Sequence, residues 1–207
     1  MQSQNKEDYL IMDLFKDLDR GTFLDIGAND GKVMSNSFCL IEKGWSGCMV
    51  EPSPKAFERL QGNHGNNKSV HLFNYAMTDR DGECTFYESG YVKIKKRFDN
   101  ISLVSTINKE WLPRWRKKAH FTEMTIPCKT FDSFLEESPI KTFDFITMDT
   151  EGEDLRILKQ MDLKELGCKV LCVEHDHYKE VDEYLSYCAQ FGMKELSRTV
   201  TNLILEI

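Results

Sequence analysis

Two glycines flank Ala-Asn-Asp in the stretch Gly27 to Gly31, directly after an apolar run that carries one carboxylate, Asp25. Gly27 and Gly31 let the backbone pass close to a bound molecule, and a helix that follows such a turn offers free N–H groups. A pyrophosphate loop would need GxGxxG, and carboxylates at Asp25 and Asp30 would repel phosphate oxygens. The same carboxylates suit an ammonium or a sulfonium. Glu51 ends the next apolar run, at the spacing from which a carboxylate accepts both hydroxyls of a ribose. An adenosine with a cationic tail fits both features. S-adenosylmethionine is such a molecule, whereas a nicotinamide dinucleotide is not.

Two further clusters carry acid–base chemistry. DTEGED places Asp149 and Glu151 at the end of an apolar run, and VEHDH places Glu174, His175, Asp176 and His177 at the end of another. On adjacent strand ends they would face one cleft beside a transferable methyl. An alcohol attacking that methyl needs its proton removed, and two readings of these residues stand. In one, His175 is the general base, with Asp149 and Glu151 beside it as catalytic carboxylates. In the other, Mg²⁺ or Mn²⁺ is held by Asp149 and Glu174, with His175 or Asp176 completing the set. His177 reads as a solvated loop residue, and His64 and His71 as structural or exposed.

The periodicity supplies the elements that must position these groups. Leu10, Ile11, Leu14, Phe15 and Leu18 recur at helical spacing and predict an amphipathic helix over 5–19. Strands are expected at 22–26, 47–51, 69–76 and 83–88. A helix over 32–43 should stop at Gly44, and another starts at Ser53 with Pro54 in its first turn. After residue 124 the order is strand (TIPC), helix (FDSFLEE), strand 143–149, helix 153–161, strand 169–174 and helix 178–190. MKELSRT and NLILEI are joined by too few residues for a crossover, so they must form an antiparallel hairpin.

This pattern is an α/β fold, a doubly wound and mostly parallel Rossmann-like sheet with a C-terminal antiparallel hairpin. Its ligand crevice lies beyond the carboxyl ends of the strands at the switch point, where GANDG falls. We expect a single domain over 1–207, interrupted by an irregular insert at about 89–124. The chain stops almost as soon as its last strand is complete, as a module excised from a longer protein would.

The insert is too long and too aromatic for a plain turn. Trp111 and Trp115 could pack a helical turn onto the core. Alternatively they could offer aromatic faces to a sugar ring, with Ser102, Ser105 and Arg114 bonding to hydroxyls. The run RWRKK (114–118) reads as a solvated face, because a formal net charge of −7 disfavours a polyanion as the main partner. Seven cysteines without a CxxC pair indicate reduced thiols in a core. No run approaches membrane-spanning length and MQSQNKED is not a signal peptide, so the expected location is cytoplasmic.

Four stretches taken together resemble an FkbM-type methyltransferase of the class I S-adenosylmethionine-dependent superfamily. They are SQNKED (3–8), FLDIGANDG (23–31) with SNSFCLIEKGWSG (35–47), VEPSP (50–54) and FDFITMDTEGEDLRIL (143–158). The resemblance implies a cofactor loop of Asp25, Gly27, Asn29, Asp30 and Gly31, with Glu51 and Pro52 at the ribose and Ala76 near the adenine. Gln4, in the N-terminal stretch, would cover the cofactor. It further implies O-methylation of a sugar hydroxyl on a glycan, a deoxysugar such as rhamnose or fucose, in company with glycosyltransferases. Two positions depart from the family pattern: Thr147 where a Lys is usual, and Asp154 where a Glu is usual. The competing functions are methylation of nucleic acid or protein, and a non-catalytic module that binds S-adenosylmethionine. The first lacks the NPPY-type motif of amino-N methyltransferases.

Overall fold

The computed structural model describes residues 3–90, 92–94, 97–99, 102–175 and 178–207. In chain order its strands are β1 (Thr22–Ile26), β2 (Ser46–Val50), β3 (Val70–Phe73), β4 (Ala76–Met77), β5 (Gly82–Glu88) and β6 (Val92–Ile94). They continue with β7 (Arg97–Asp99), β8 (Thr122–Lys129), β9 (Phe145–Met148), β10 (Val170–Glu174), β11 (Lys194–Arg198) and β12 (Asn202–Glu206). The helices are α1 (Glu7–Leu14), α2 (Phe38–Glu42), α3 (Pro54–His64), α4 (Leu112–Trp115), α5 (Phe131–Glu137), α6 (Asp154–Leu158) and α7 (Tyr178–Ala189).

Seven strands form the main sheet in the order β11-β12-β10-β9-β1-β2-β3. The five strands from β10 to β3 are parallel, while β12 runs antiparallel to both β10 and β11. The chain winds outward from β1 to β3, then returns to lay β9 and β10 on the other side of β1. That reversal opens the crevice between the ends of β1 and β9.

Consecutive residues of the central strands serve opposite faces. Leu24, Ile146 and Leu171 pack with Phe131, Phe134 and Phe143 on one side; Phe23, Phe145 and Cys172 pack with Trp45 and Phe15 on the other. Both faces are covered, so these strands read as continuous apolar runs.

Several elements differ from the sequence expectation for local reasons. The helix expected over 32–43 is only Phe38–Glu42, because Met34 takes φ 60° and the Ser35 hydroxyl accepts from the Phe38 N–H instead. The helix expected over 5–19 is Glu7–Leu14, preceded by Lys6 at φ 72°. The strand expected over 69–76 breaks at Asn74, whose amide donates to the Glu51 and Pro52 carbonyls. Its second part, β4, joins β8 and β5 in a separate three-stranded sheet instead of extending the main one. Among the described residues, no helix is long and apolar enough to cross a membrane.

All seven cysteines are free and buried. Burial pushes the Cys39, Cys84 and Cys188 thiols up to about 12 and Cys48 to about 11. The thiolate is the reactive form. The native protein is therefore expected to resist a disulfide-exchange reagent such as DTNB at pH 8, with seven thiols titrating only in denaturant. Rapid reaction of any thiol under native conditions would contradict this packing.

Candidate active site

At the end of β1, Gly27 turns with φ 86°, and a Cβ there would stand 1.9 Å from the Asp149 carbonyl oxygen. The tips of β1 and β9 thus touch backbone to backbone. The Gly27 and Ala28 N–H groups both donate to the Val50 carbonyl, at 2.9 and 3.1 Å, which ties this turn to β2. Glu51, directly beyond β2, is buried. Its Oε2 accepts the Asn29 N–H and its Oε1 the Ser53 N–H, each at 2.7 Å. One partner on each oxygen leaves acceptor capacity on both, which is what two vicinal hydroxyls require. Burial pushes the Glu51 carboxyl up to about 7; the two N–H bonds pull it down, and the nearby Asp25 and Asp149 add to the rise. Asp25 accepts from the Ser37 hydroxyl and is also pushed up to about 7, mainly by burial and further by Asp149.

These groups line a cavity of about 260 Å³ at the switch point. Tyr75, Ala76, Met77 and Phe86 form an apolar wall near Glu51, contributed by β4, β5 and the turn before them. Gln4, Asn36, Thr201 and Asn202 also line it. The N-terminal stretch is held there by its own polar residues. Glu7 accepts from the Asn5 and Asn202 amides at 3.0 and 2.8 Å, and Asp8 accepts from the Ser3 hydroxyl at 2.8 Å.

On the far side Asp149, Glu151 and Glu174 each bring a carboxylate oxygen within 4.8 Å of the others. Asp149 and Glu174 are neighbours in this cluster, and both carboxyls lie above the usual range. Burial is the first cause for each, and the charge of Asp149 is the next for Glu174. Asp149 lies deep in the molecule, yet its side chain is exposed to the cavity space.

Glu151 is 7 % exposed and adopts φ 54°. Its Oε2 accepts two indole N–H groups, from Trp111 at 2.9 Å and Trp115 at 3.1 Å. Burial, and then Asp149, push this carboxyl up to about 8 against those two bonds. The insert is latched to the same loop by Thr106 Oγ1 on the Glu151 carbonyl (2.8 Å) and Asn108 Nδ2 on the Gly152 carbonyl (3.3 Å). A Cβ on Gly152 would meet the Trp111 ring at 2.9 Å, so this position needs its glycine.

The sequence profile described as the methyltransferase FkbM domain matches residues 25–194, a span that holds Asp25, Glu51 and all three clustered carboxylates. The chain belongs to the FkbM methyltransferase family. This FkbM domain is 28 % identical over 135 residues to the 2-O-methyltransferase NoeI of Sinorhizobium fredii, covering 65 % of this chain and 55 % of that protein. It thus spans about half the length of the curated relative it matches. Among solved structures it resembles the methyltransferase FkbM from Methylobacillus flagellatus KT, with a TM-score of 0.53 and 13 % identity over 91 % of this chain and 44 % of that one. It also resembles a precorrin-6y C5,15-methyltransferase from Geobacter metallireducens, with a TM-score of 0.50 and 11 % identity over 100 % and 93 % of the two chains.

The FkbM domain brings most of the sequence-selected residues to one cavity. Gln4, Asp25, Gly27, Asn29, Glu51, Pro52, Ala76, Ser102, Ser105, Arg114, Trp115, Asp149, Glu151 and Glu174 all line it. Four do not. Asp30 turns its carboxylate back onto the Lys32 and Val33 N–H groups, and the Gly31 carbonyl meets the buried His64 ring at 2.8 Å. They shape the turn from behind. Trp111 packs over Gly152 outside the cavity, so its indole serves Glu151 and not a sugar face.

His175 is the main correction. Its ring lies toward the Thr199 backbone, its buried Nε2 has no partner among the described residues, and it does not line the cavity. Among the described residues it is also not part of the carboxylate cluster, whose third member beside Asp149 and Glu174 is Glu151. Asp176 and His177 lie outside the described residues. Sequence reasoning missed Ser37, Asn36 and Asn202. The short polar run Ser35-Asn36-Ser37 was a usable signal, since three small polar residues ahead of an apolar helix suit caps and site contacts.

Proposed function

We propose that this methyltransferase is an S-adenosylmethionine-dependent O-methyltransferase acting on a sugar hydroxyl, with a deoxysugar such as rhamnose or fucose as acceptor. The observation that carries the reading is the buried Glu51 carboxylate, held by one backbone N–H on each oxygen and facing the same cavity as the Asp149, Glu151 and Glu174 carboxylates. The residues present fit the cofactor. Glu51 would hold the ribose, Ala76, Met77 and Phe86 the adenine, and Asp25 with Gln4 and Asn29 the charged tail. When bound, S-adenosylmethionine supplies an electrophilic methyl group. The name of NoeI, a 2-O-methyltransferase, supports a hydroxyl as the acceptor group, and the insert from Ser102 to Trp115 would form the acceptor wall.

Glu151 is the proton acceptor in this reading. As the acceptor oxygen bonds to the methyl carbon and the carbon–sulfur bond breaks, the hydroxyl proton passes to its carboxylate. A base whose pKa is pushed up to about 8 matches the operating pH well. Asp149 and Glu174 keep the site negative, which suits a cationic donor.

The test is calorimetry with S-adenosylmethionine, followed by transfer of its labelled methyl to a panel of deoxysugar glycosides and mass determination of the product. Saturable binding and label on a sugar oxygen are expected. No heat on titration would end the cofactor assignment, and label confined to polypeptide would end the acceptor assignment. With a carboxylate as base, EDTA is expected to leave turnover unchanged. A rate that EDTA abolishes and Mg²⁺ or Mn²⁺ restores would instead make Asp149, Glu151 and Glu174 metal ligands.

A further inference from the structure

Residues 89–124 hold nine Lys or Arg against three Asp or Glu, a net +6, so the rest of the chain carries −13. Elsewhere many cations are matched: Lys55 pairs with Glu88, Arg156 with Glu153, Lys169 with Asp144 and Arg198 with Glu195. On the insert, Arg116 and Lys117 are exposed and have no carboxylate partner among the described residues. Arg114 stacks 4.3 Å from the centroid of the Trp111 ring, and Lys118 lies 5.1 Å from that of Trp115. Trp115 and Arg114 line the cavity, which puts this basic turn at its mouth. Within the wall, Ser102 is 4 % exposed and lines the same cavity, yet its buried hydroxyl has no partner among the described residues.

Unmatched surface cations beside a negatively charged cleft hold an anion that the cleft itself would repel. We infer that the acceptor is a phosphate or pyrophosphate ester of the sugar, docked by Arg116 and Lys117 with Lys118 beside them, while its hydroxyl enters the cavity and meets Ser102 and Glu151. This rests on the sugar O-methyltransferase reading above. Nucleotide-activated and lipid-linked sugars share this ester group. A polynucleotide fits less well, because its track of phosphates would run from one basic turn onto a surface of net charge −13.

The experiment measures kcat/KM for fucose, rhamnose and their 1-phosphates on the whole chain, with calorimetry of inorganic pyrophosphate in parallel. The esters are expected to exceed the free sugars by about ten-fold or more, chiefly through KM, with the advantage shrinking at high salt. The double substitution Arg116→Glu, Lys117→Glu should erase that ratio and weaken pyrophosphate binding about ten-fold or more. Retained binding of S-adenosylmethionine reports that the variant is folded. Equal kcat/KM for esters and free sugars would overturn the inference, as would pyrophosphate binding that is absent or indifferent to the substitutions. Faster labelling of a single-stranded RNA than of the esters would overturn it in favour of nucleic acid. If no sugar is methylated, the acceptor reading falls, while pyrophosphate calorimetry still decides the docking surface because it needs no turnover.

Discussion

Replacing Glu151 by Gln is expected to lower kcat by about 10²–10⁴-fold, the usual worth of a positioned base, while binding of S-adenosylmethionine persists. The change is nearly isosteric. A glutamine carbonyl can still accept both indole N–H groups at 2.9 and 3.1 Å, so the loop beyond β9 and the insert should stay latched. What is lost is the ability to take a proton. The companion variant, Trp111→Phe with Trp115→Phe, keeps aromatic bulk against Gly152 but removes both donors, leaving a buried carboxylate oxygen without its two bonds. That deficit costs about 1–3 kcal/mol for each lost donor and should loosen the carboxylate. A fall in kcat of about ten-fold is expected, since 1.4 kcal/mol is a factor of ten. If Glu151→Gln turns over at the wild-type rate, the proton goes elsewhere, and Asp149 or Glu174 becomes the base to substitute next.

Residues that act through their immediate neighbours are legible in the sequence, and those that act through distant partners are not. Gly27, Asn29 and Glu51 are legible because the turn after β1 and the end of β2 are fixed by strand periodicity, and the bonds that tie them together all start from backbone N–H groups. Ser53 was legible as a cap for the same reason: its hydroxyl accepts from Ala56 three residues on. The side taken by His175 is not legible because a strand that is apolar on both faces does not say which way the residue after its end points. Glu174 faces the cavity, and the next side chain along turns toward Thr199. The spacing of the two tryptophans, four apart, reads as a helical pair but not as two donors to one oxygen, because Glu151 lies 36 positions from Trp115. Asp30 misled in a different way. A carboxylate in a glycine turn looks like a ligand contact, yet its nearest N–H groups are its own neighbours. The separate sheet of β4, β5 and β8 was hidden because a two-residue strand such as Ala76–Met77 has no period to read.

The ligand-free protein is expected to be more stable at pH 5.5 than at pH 8, the reverse of a protein held by surface ion pairs. Asp25, Glu51 and Asp154 are pushed up to about 7 and Glu151 to about 8, with burial the first cause in each case; Asp149 and Glu174 also lie above the usual range. In the unfolded chain these groups release their protons near pH 4 to 4.5. Between that range and pH 7–8 the folded protein holds more protons than the unfolded one, so its stability falls as pH rises. Asp25 and Glu51 carry this argument best, since they are only 6 % and 5 % exposed, whereas Asp149 opens to solvent in the cavity. The lowered carboxyls of Glu7, Glu137 and Asp144 work in the opposite sense, but only below the usual carboxylate range. His175, held below its ordinary value, opposes the trend as one group against these six and Glu153, which burial also raises. A chain of this size loses about 2–4 °C of Tm per kcal/mol, so the fall should reach ~5 °C or more by scanning calorimetry. S-adenosylmethionine should raise Tm more at pH 8 than at pH 5.5, because its sulfonium favours the ionised carboxylates, while the uncharged sulfur of S-adenosylhomocysteine should show a smaller difference between the two pH values. A Tm that is flat or rising from pH 5.5 to 8 would mean that these carboxylates are already ionised and hydrated in the folded protein, and the case for a site built to receive a cation would go with them.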